Sequence, residues 1–182
     1  MSLKIVIGPM FSGKTTYLLN ELNKFSCINL KCLYINSIKD SRENDNYSTH
    51  NPTIGGSGNI SSLKCDDLSK IIVDDFDVIG IDEYGLFDNF NNVLLDWIEK
   101  RNKNVIVCGL NGDFLRRKFG YIIDLIPLAD DVKVLNPYCE DCGKKSLFNK
   151  AIFSKRISDE KDVISIGNSN YKPVCRYCYL SD

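Results

Sequence analysis

The sequence predicts an α/β fold, a mostly parallel sheet with helices on both faces, followed by a small C-terminal metal-binding lobe. Three observations carry that expectation. Short β-branched apolar runs alternate with segments whose apolar residues recur at helical spacing, the pattern of β-α units in a parallel sheet. A glycine-containing loop, Gly8-Pro9-Met10-Phe11-Ser12-Gly13-Lys14-Thr15, joins the first strand to the first helix. Two C-x-x-C pairs, Cys139 with Cys142 and Cys175 with Cys178, lie near the end of the chain. With 182 residues, 43% hydrophobic and 26% charged, the chain can bury one sizeable core but is too short for several domains.

In chain order, Lys4, Ile5, Val6 and Ile7 form a strand that Gly8 and Pro9 end. Leu18, Leu19, Leu22 and Phe25 then share one face of a helix that runs on from Gly13. Cys32, Leu33, Tyr34 and Ile35 form a second strand, and positions 36–62, rich in Asn, Ser and Gly, read as a long loop of the kind that often carries function. Leu68, Ile71 and Ile72 suggest a short helix. Val78, Ile79, Gly80 and Ile81 make a third strand running directly into Asp82 and Glu83. Val93, Leu94, Trp97 and Ile98 mark an amphipathic helix with Trp97 in the core, and Val105, Ile106, Val107 and Cys108 another buried strand. After Asn136 the pattern changes to Pro137, the cysteine pairs, a lysine-rich turn and short strands around 151–153 and 163–166. The expected division is an α/β domain over 1–136 and a lobe over 137–182.

Lys plus Arg number 23 against 24 Asp plus Glu, a net charge of −1, so no overall field draws the chain to a polyanion and nucleic acid is not an expected partner. No run of about 18 apolar residues and no signal-peptide core is present, so a soluble, cytoplasmic protein without membrane contact is expected. In a reducing compartment the paired cysteines point to a metal, not to disulfides. Cys27, Cys32, Cys65 and Cys108 lie in or beside apolar segments and read as buried small hydrophobes. His50, the only histidine, reads as a solvated loop residue, and Arg116-Arg117-Lys118 as charge that lies on the surface or helps the phosphate site.

The loop at 8–15 satisfies G-x-x-x-x-G-K-[ST] between a strand and a helix, the context of a P-loop, which makes the α/β part P-loop NTPase-like. Its amides and the helix N-terminus can surround phosphate oxygens of ATP. Lys14 would reach the β and γ oxygens, and the Thr15 hydroxyl would help to hold Mg²⁺. Asp82 and Glu83 end an apolar strand where a second acidic element reaches that metal. Asp82 is assigned to Mg²⁺ and Glu83 to the base that takes a proton from an attacking hydroxyl or water. Cys139, Cys142, Cys175 and Cys178 supply the ligand set of a closed tetrahedral structural Zn²⁺, in a lobe of zinc-ribbon type.

Together these blocks resemble thymidine kinases of the small, zinc-containing class found in many cells and large DNA viruses. The resemblance extends to Ile81-Asp82-Glu83, Gly109-Leu110-Asn111-Gly112-Asp113-Phe114, Ile126-Pro127-Leu128-Ala129, Phe153-Ser154-Lys155-Arg156 and Val174-Cys175-Arg176-Tyr177-Cys178-Tyr179, and so covers nearly the whole chain. It implies transfer of the ATP γ-phosphate to the 5′-hydroxyl of thymidine or deoxyuridine for nucleotide salvage, with Glu83 as the catalytic base. It also implies a nucleoside site built from Asp40, Arg42, Leu110, Phe114 and Tyr171. Val163-Ile164-Ser165-Ile166-Gly167 matches a lasso loop whose backbone reads the base. A homotetramer and feedback inhibition by thymidine triphosphate are implied in the same way. The family pattern is altered at Tyr84-Gly85-Leu86-Phe87 and at Asn111. The competing reading is a P-loop ATPase acting on nucleic acid, with a zinc-ribbon lobe.

Overall fold

The computed structural model describes residues 1–40, 60–158 and 170–181. Arg42, His50, the strand expected around 163–166 and the Val163 to Gly167 element lie outside the described residues. Among those described, the elements are β1 (Ser2–Gly8), α1 (Lys14–Ser26), β2 (Cys32–Ser37), β3 (Ile60–Cys65), β4 (Val78–Ile81), α2 (Asn91–Leu95), β5 (Asn104–Leu110), β6 (Asp131–Val134), α3 (Glu140–Gly143), β7 (Phe153–Arg156), β8 (Tyr171–Val174) and α4 (Arg176–Leu180). Six strands form one sheet in the order β3-β2-β4-β5-β1-β6, and every pairing in it is parallel. β7 and β8 make a separate antiparallel ribbon.

The central strands carry apolar residues on both faces because both faces are covered. Alternate side chains sort accordingly. Leu3, Ile5 and Ile7 of β1, Leu33 and Ile35 of β2, Ile79 and Ile81 of β4, and Val105 and Val107 of β5 enter one core cluster. Val6, Cys32, Tyr34, Val78, Ile106 and Cys108 enter the other. The first face is covered by Leu94 of α2, by Trp97 and Ile98 in the π-type turn Asp96–Lys100 that continues it, and by Ile122 and Leu125 of the 3-10 segment Ile122–Leu128. The second face is covered by α1 through Leu18, Leu19 and Leu22. Each of those leucines is fully buried, which stabilises the fold by about 1.5–3 kcal/mol apiece.

The strand before the loop, α1, β2, β4 and β5 form where the sequence places them; β4 spans the expected residues, and the other three strands extend by one or two residues at their ends. The expected helix around Leu68 is a single 3-10 turn, Leu68–Lys70, capped by Asp67, whose carboxylate accepts the Ser69 amide at 3.0 Å. Ile72 is exposed, so the apolar spacing there does not mark a helix face. The strand expected at 151–153 forms two residues later, where Phe153 to Arg156 pair with β8. Cys27 is exposed, not buried as its apolar neighbours suggest, because it follows the last turn of α1. Cys32 and Cys108 are buried, and Cys65 is half-buried. No helix among the described residues is long and apolar enough to cross a membrane.

Candidate active site

Parallel pairing puts all the strand carboxyl ends on one edge of the sheet, the edge where open α/β sheets bind ligands. Gly8 of β1 lies opposite Leu110 of β5, and Ile81 of β4 opposite Val107. The loop after β1 must turn sharply into α1. Gly13 makes that turn with φ 79°, a conformation that costs glycine little. At Gly8 an added Cβ would lie 2.2 Å from the Leu135 carbonyl oxygen, so only a hydrogen fits between the loop and the chain leaving β6.

Lys14 opens α1 and is 7% exposed; its Nζ donates to the Pro9 carbonyl at 2.9 Å and to Ser12 Oγ at 3.4 Å. The ammonium therefore lies within the curve of the loop. α1 has 13 residues, and its first amides face the same loop. Across the edge, Asp82 is fully buried. Its Oδ2 accepts the Thr15 hydroxyl at 2.6 Å and the Tyr34 hydroxyl at 3.1 Å, and its Oδ1 accepts the Glu83 amide at 2.9 Å. Burial, with Glu83 beside it, pushes the Asp82 carboxyl up to about 6, against the bonds from Thr15 and the Glu83 amide. A carboxylate and a hydroxyl so placed, with the buried Lys14 next to Thr15 in the chain, suit a divalent cation bound to phosphates.

Glu83 has φ 48°, in the left-handed region that costs a residue with a side chain on the order of 1 kcal/mol. The strain is held by the turn Tyr84–Leu86, in which the Leu86 amide donates to the Glu83 carbonyl at 2.9 Å. The chain thus breaks from the sheet immediately after Asp82, leaving two adjacent carboxylates with different surroundings. Asp40, 2% exposed, follows β2 on the same edge and accepts Asn36 Nδ2 at 3.2 Å. Lys39 Nζ donates to the Leu86 carbonyl at 3.0 Å, tying that loop to the turn after Glu83.

The sequence-expected base contacts come from two segments that meet here. Phe114 follows β5 and Tyr171 opens β8, with ring centroids 6.4 Å apart. The Arg156 guanidinium lies 4.0 Å from the Phe114 ring centre and 5.0 Å from that of Tyr171, and donates to the Tyr171 hydroxyl. The ribbon also reaches the phosphate loop, since Ser154 Oγ accepts the Met10 amide at 2.9 Å. Asn111 Nδ2 donates to the Ile152 carbonyl at 3.4 Å and Asn136 Nδ2 to the Ala151 carbonyl at 3.0 Å.

The ligand atoms of Cys139, Cys142, Cys175 and Cys178 all lie within 4.8 Å of one another, around a small cluster with Ala151 and Val174. Cys142 Sγ is 3.7 Å from that of Cys175 and 3.6 Å from that of Cys178, far beyond the roughly 2.05 Å of a disulfide. None of the four is in a disulfide. Burial pushes the Cys139 thiol up, but the backbone amides of Cys175 and Cys142 together with the Cys142 and Cys178 side chains, all bonding to its sulfur, bring it down to about 7. Asn149 Nδ2 donates to Cys142 Sγ at 3.4 Å, which favours a thiolate, but burial and the neighbouring Cys139 and Cys175 thiols leave the Cys142 thiol raised. The group suits one structural metal with no position left open.

A family profile described as "Thymidine kinase" matches residues 1–179. The chain belongs to the thymidine kinase family. It is 37% identical over 183 residues to thymidine kinase 1 of Dictyostelium discoideum, covering 99% of this chain and 78% of that protein. It is 38% identical over 181 residues to the thymidine kinase of Yaba monkey tumor virus, covering 97% and 93% of the two chains. With the cytosolic thymidine kinase of Bos taurus the identity is 36% over 181 residues, 98% of this chain and 71% of the other. Membership of the thymidine kinase family makes the chain a transferase and a kinase, and the P-loop at its sheet edge is the part that would take the nucleotide. Nothing in the fold or in these likenesses favours the nucleic-acid ATPase.

Four residues at this edge were not singled out by their spacing. Tyr34 was legible in principle, since a tyrosine inside a buried strand needs a partner for its hydroxyl, and that partner is Asp82. Ser154, Arg156 and Tyr179 lie in blocks that carry the family resemblance, and Arg156 is a residue expected to support the lasso, but their contacts with Met10 and Phe114 join segments far apart in sequence, which spacing does not record.

Proposed function

We propose that this chain transfers the γ-phosphate of ATP to the 5′-hydroxyl of thymidine, or of deoxyuridine, giving the monophosphate for nucleotide salvage. The observation that carries the reading is the Thr15 hydroxyl 2.6 Å from the fully buried Asp82, with Glu83 next in the chain, all inside a thymidine kinase sequence. Gly8, Pro9, Met10, Phe11, Ser12 and Gly13 wrap the phosphates, Lys14 reaches the β and γ oxygens, and Thr15 with Asp82 holds Mg²⁺. When bound, Mg²⁺ offsets the charge on the β- and γ-phosphate oxygens. Glu83 accepts the proton of the 5′-hydroxyl as that oxygen bonds to the γ-phosphorus and the bond to the ADP oxygen breaks. Phe114, Tyr171 and Leu110 line the base side, Asp40 and Arg42 the sugar and phosphate side, and the backbone of Val163, Ile164, Ser165, Ile166 and Gly167 reads the base edge.

The four cysteines hold Zn²⁺. A Zn–S distance of about 2.3 Å requires tetrahedral S···S edges of about 3.8 Å, close to the separations around Cys142. The chain divides at Asn136 into the ATP-binding part, 1–136, and the zinc and nucleoside lobe, 137–182. A cytoplasmic homotetramer inhibited by thymidine triphosphate, with no nucleic-acid partner, completes the reading.

Asp82→Asn separates the metal role from stability. Because its folded pKa of about 6 exceeds the ordinary 3.8, Asp82 in the folded chain keeps a proton that the unfolded chain loses, and stability falls as pH rises through that window. Above it the buried carboxylate is a net cost. Asp82→Asn is expected to raise the thermal midpoint at pH 8 by about 2–4 °C, the shift that 1 kcal/mol gives at this size, and to abolish the extra stabilisation from MgATP. A midpoint that still rises more with MgATP than with ATP in EDTA would remove Asp82 from the metal site.

The reaction is tested by ADP release from MgATP with thymidine, deoxyuridine, deoxycytidine, single-stranded DNA or no acceptor, with products identified by mass. Thymidine-dependent ADP with thymidine monophosphate is expected. ADP released by DNA alone would overturn the kinase.

A further inference from the structure

Phe114 stands on a loop whose shape is set from within and from outside. Within it, the buried Asp113 carboxylate accepts the amides of Leu115 at 2.9 Å and Arg117 at 2.7 Å and the Nε of Arg117 at 3.0 Å. This folds the chain so tightly that Arg116 takes φ 63°, a conformation disfavoured for a residue with a side chain. From outside, the Tyr179 hydroxyl donates to the Phe114 carbonyl at 2.7 Å. The Arg116 guanidinium lies 4.6 Å from the centre of the same tyrosine ring, within cation–π range. One side chain therefore holds both the residue expected on the base and the strained residue two positions after it.

Tyr179 is itself firmly placed. It follows Cys178 directly, its amide donates to the Cys175 carbonyl at 2.9 Å, and its ring lies 5.1 Å from that of Phe153 in β7. Lys155 Nζ, two residues further along β7, donates to the Cys178 carbonyl at 3.3 Å. The cysteine cluster and the ribbon thus converge on one ring, and that ring grips the Phe114 loop.

We propose that Tyr179 is a positioning residue for the nucleoside, fixing the Phe114 loop to the four-cysteine cluster through its hydroxyl and its ring. The inference rests on the reading of Phe114 as a base contact. Without the hydroxyl, the Phe114 carbonyl loses its anchor and the strained loop can relax away from the base. The phosphate loop is built on β1 and α1, so the nucleotide should not feel the change.

The test is Tyr179→Phe in the full chain, which keeps the ring beneath Arg116, assayed for both KM values, kcat, zinc content and direct thymidine binding by calorimetry. The thymidine KM and Kd are expected to rise about threefold to tenfold, the range of one lost hydrogen bond, with the ATP KM and zinc content unchanged. Arg116→Met, at an exposed position, should raise the same KM by a smaller factor. Unchanged thymidine affinity in Tyr179→Phe would overturn the inference while leaving the kinase intact. So would a uniform loss of activity, zinc and thermal stability, which would make the contact merely structural. A wild-type chain inactive on every nucleoside would instead remove the reading on which the inference rests.

Discussion

Glu83→Gln is expected to lower kcat by about 10²–10⁴, the usual share of a positioned general base, while the KM values for ATP and thymidine stay within about threefold. The substitution preserves size and shape at a position whose left-handed backbone, φ 48°, is set by the turn that follows it. The ability to accept a proton is removed together with the negative charge. A loss of Mg²⁺ through protonation of Asp82 is not an alternative cause, because the sign is opposite. Glu83 is one of the groups that raise the Asp82 pKa, so neutralising it lets Asp82 ionise at lower pH. Single-turnover phosphoryl transfer measured at saturating ATP and thymidine, together with separate binding of each, distinguishes chemistry from affinity. Near-normal turnover would take Glu83 out of the mechanism and leave water or another group as the acceptor of the 5′-hydroxyl proton.

The sheet was legible because its central strands are buried on two faces. β1, β2, β4 and β5 each read as an unbroken apolar run, and no other element of this length could satisfy so much apolar sequence. The edges were not. β3 and β6 have a neighbour on one side only, and all four residues of β6 are exposed, so neither needs an apolar run that spacing could reveal. β8 contains Pro173 opposite Ser154, which argues against a strand until it is seen to lie in a two-stranded ribbon where an edge is available to it. The same division holds for the site. Lys14, Thr15, Asp82 and Glu83 follow strand ends, where local order and chemistry coincide. Tyr34, Ser154, Arg156 and Tyr179 owe their positions to packing between segments, and the Met10 amide on Ser154 and the Phe114 carbonyl on Tyr179 each join residues more than 60 apart in the chain.

Cys175→Ser is expected to reduce bound zinc from about one ion per chain to a small fraction and to destabilise the C-terminal segment by several kcal/mol, since metal affinity and folding are one free energy in small thiolate sites. The cluster around the four sulfurs contains only a few buried apolar residues, Ala151 and Val174 among them. At about 1.5–3 kcal/mol for a fully buried valine and less for alanine, that burial cannot order the ribbon and both cysteine turns unaided. The effect should extend to catalysis, because the ribbon that the metal would fix carries Ser154 against the phosphate loop and Arg156 against Phe114. Proteolysis should then begin beyond Asn136 while the six-stranded sheet resists. Cys27→Ser removes an exposed thiol at the end of α1 and serves as the matched control, with zinc content and melting unchanged. Zinc retained at one ion per chain in Cys175→Ser would refute the four-thiolate assignment. Zinc lost without any change in proteolysis or thymidine affinity would show instead that the metal is bound but does not hold the ribbon against the active site.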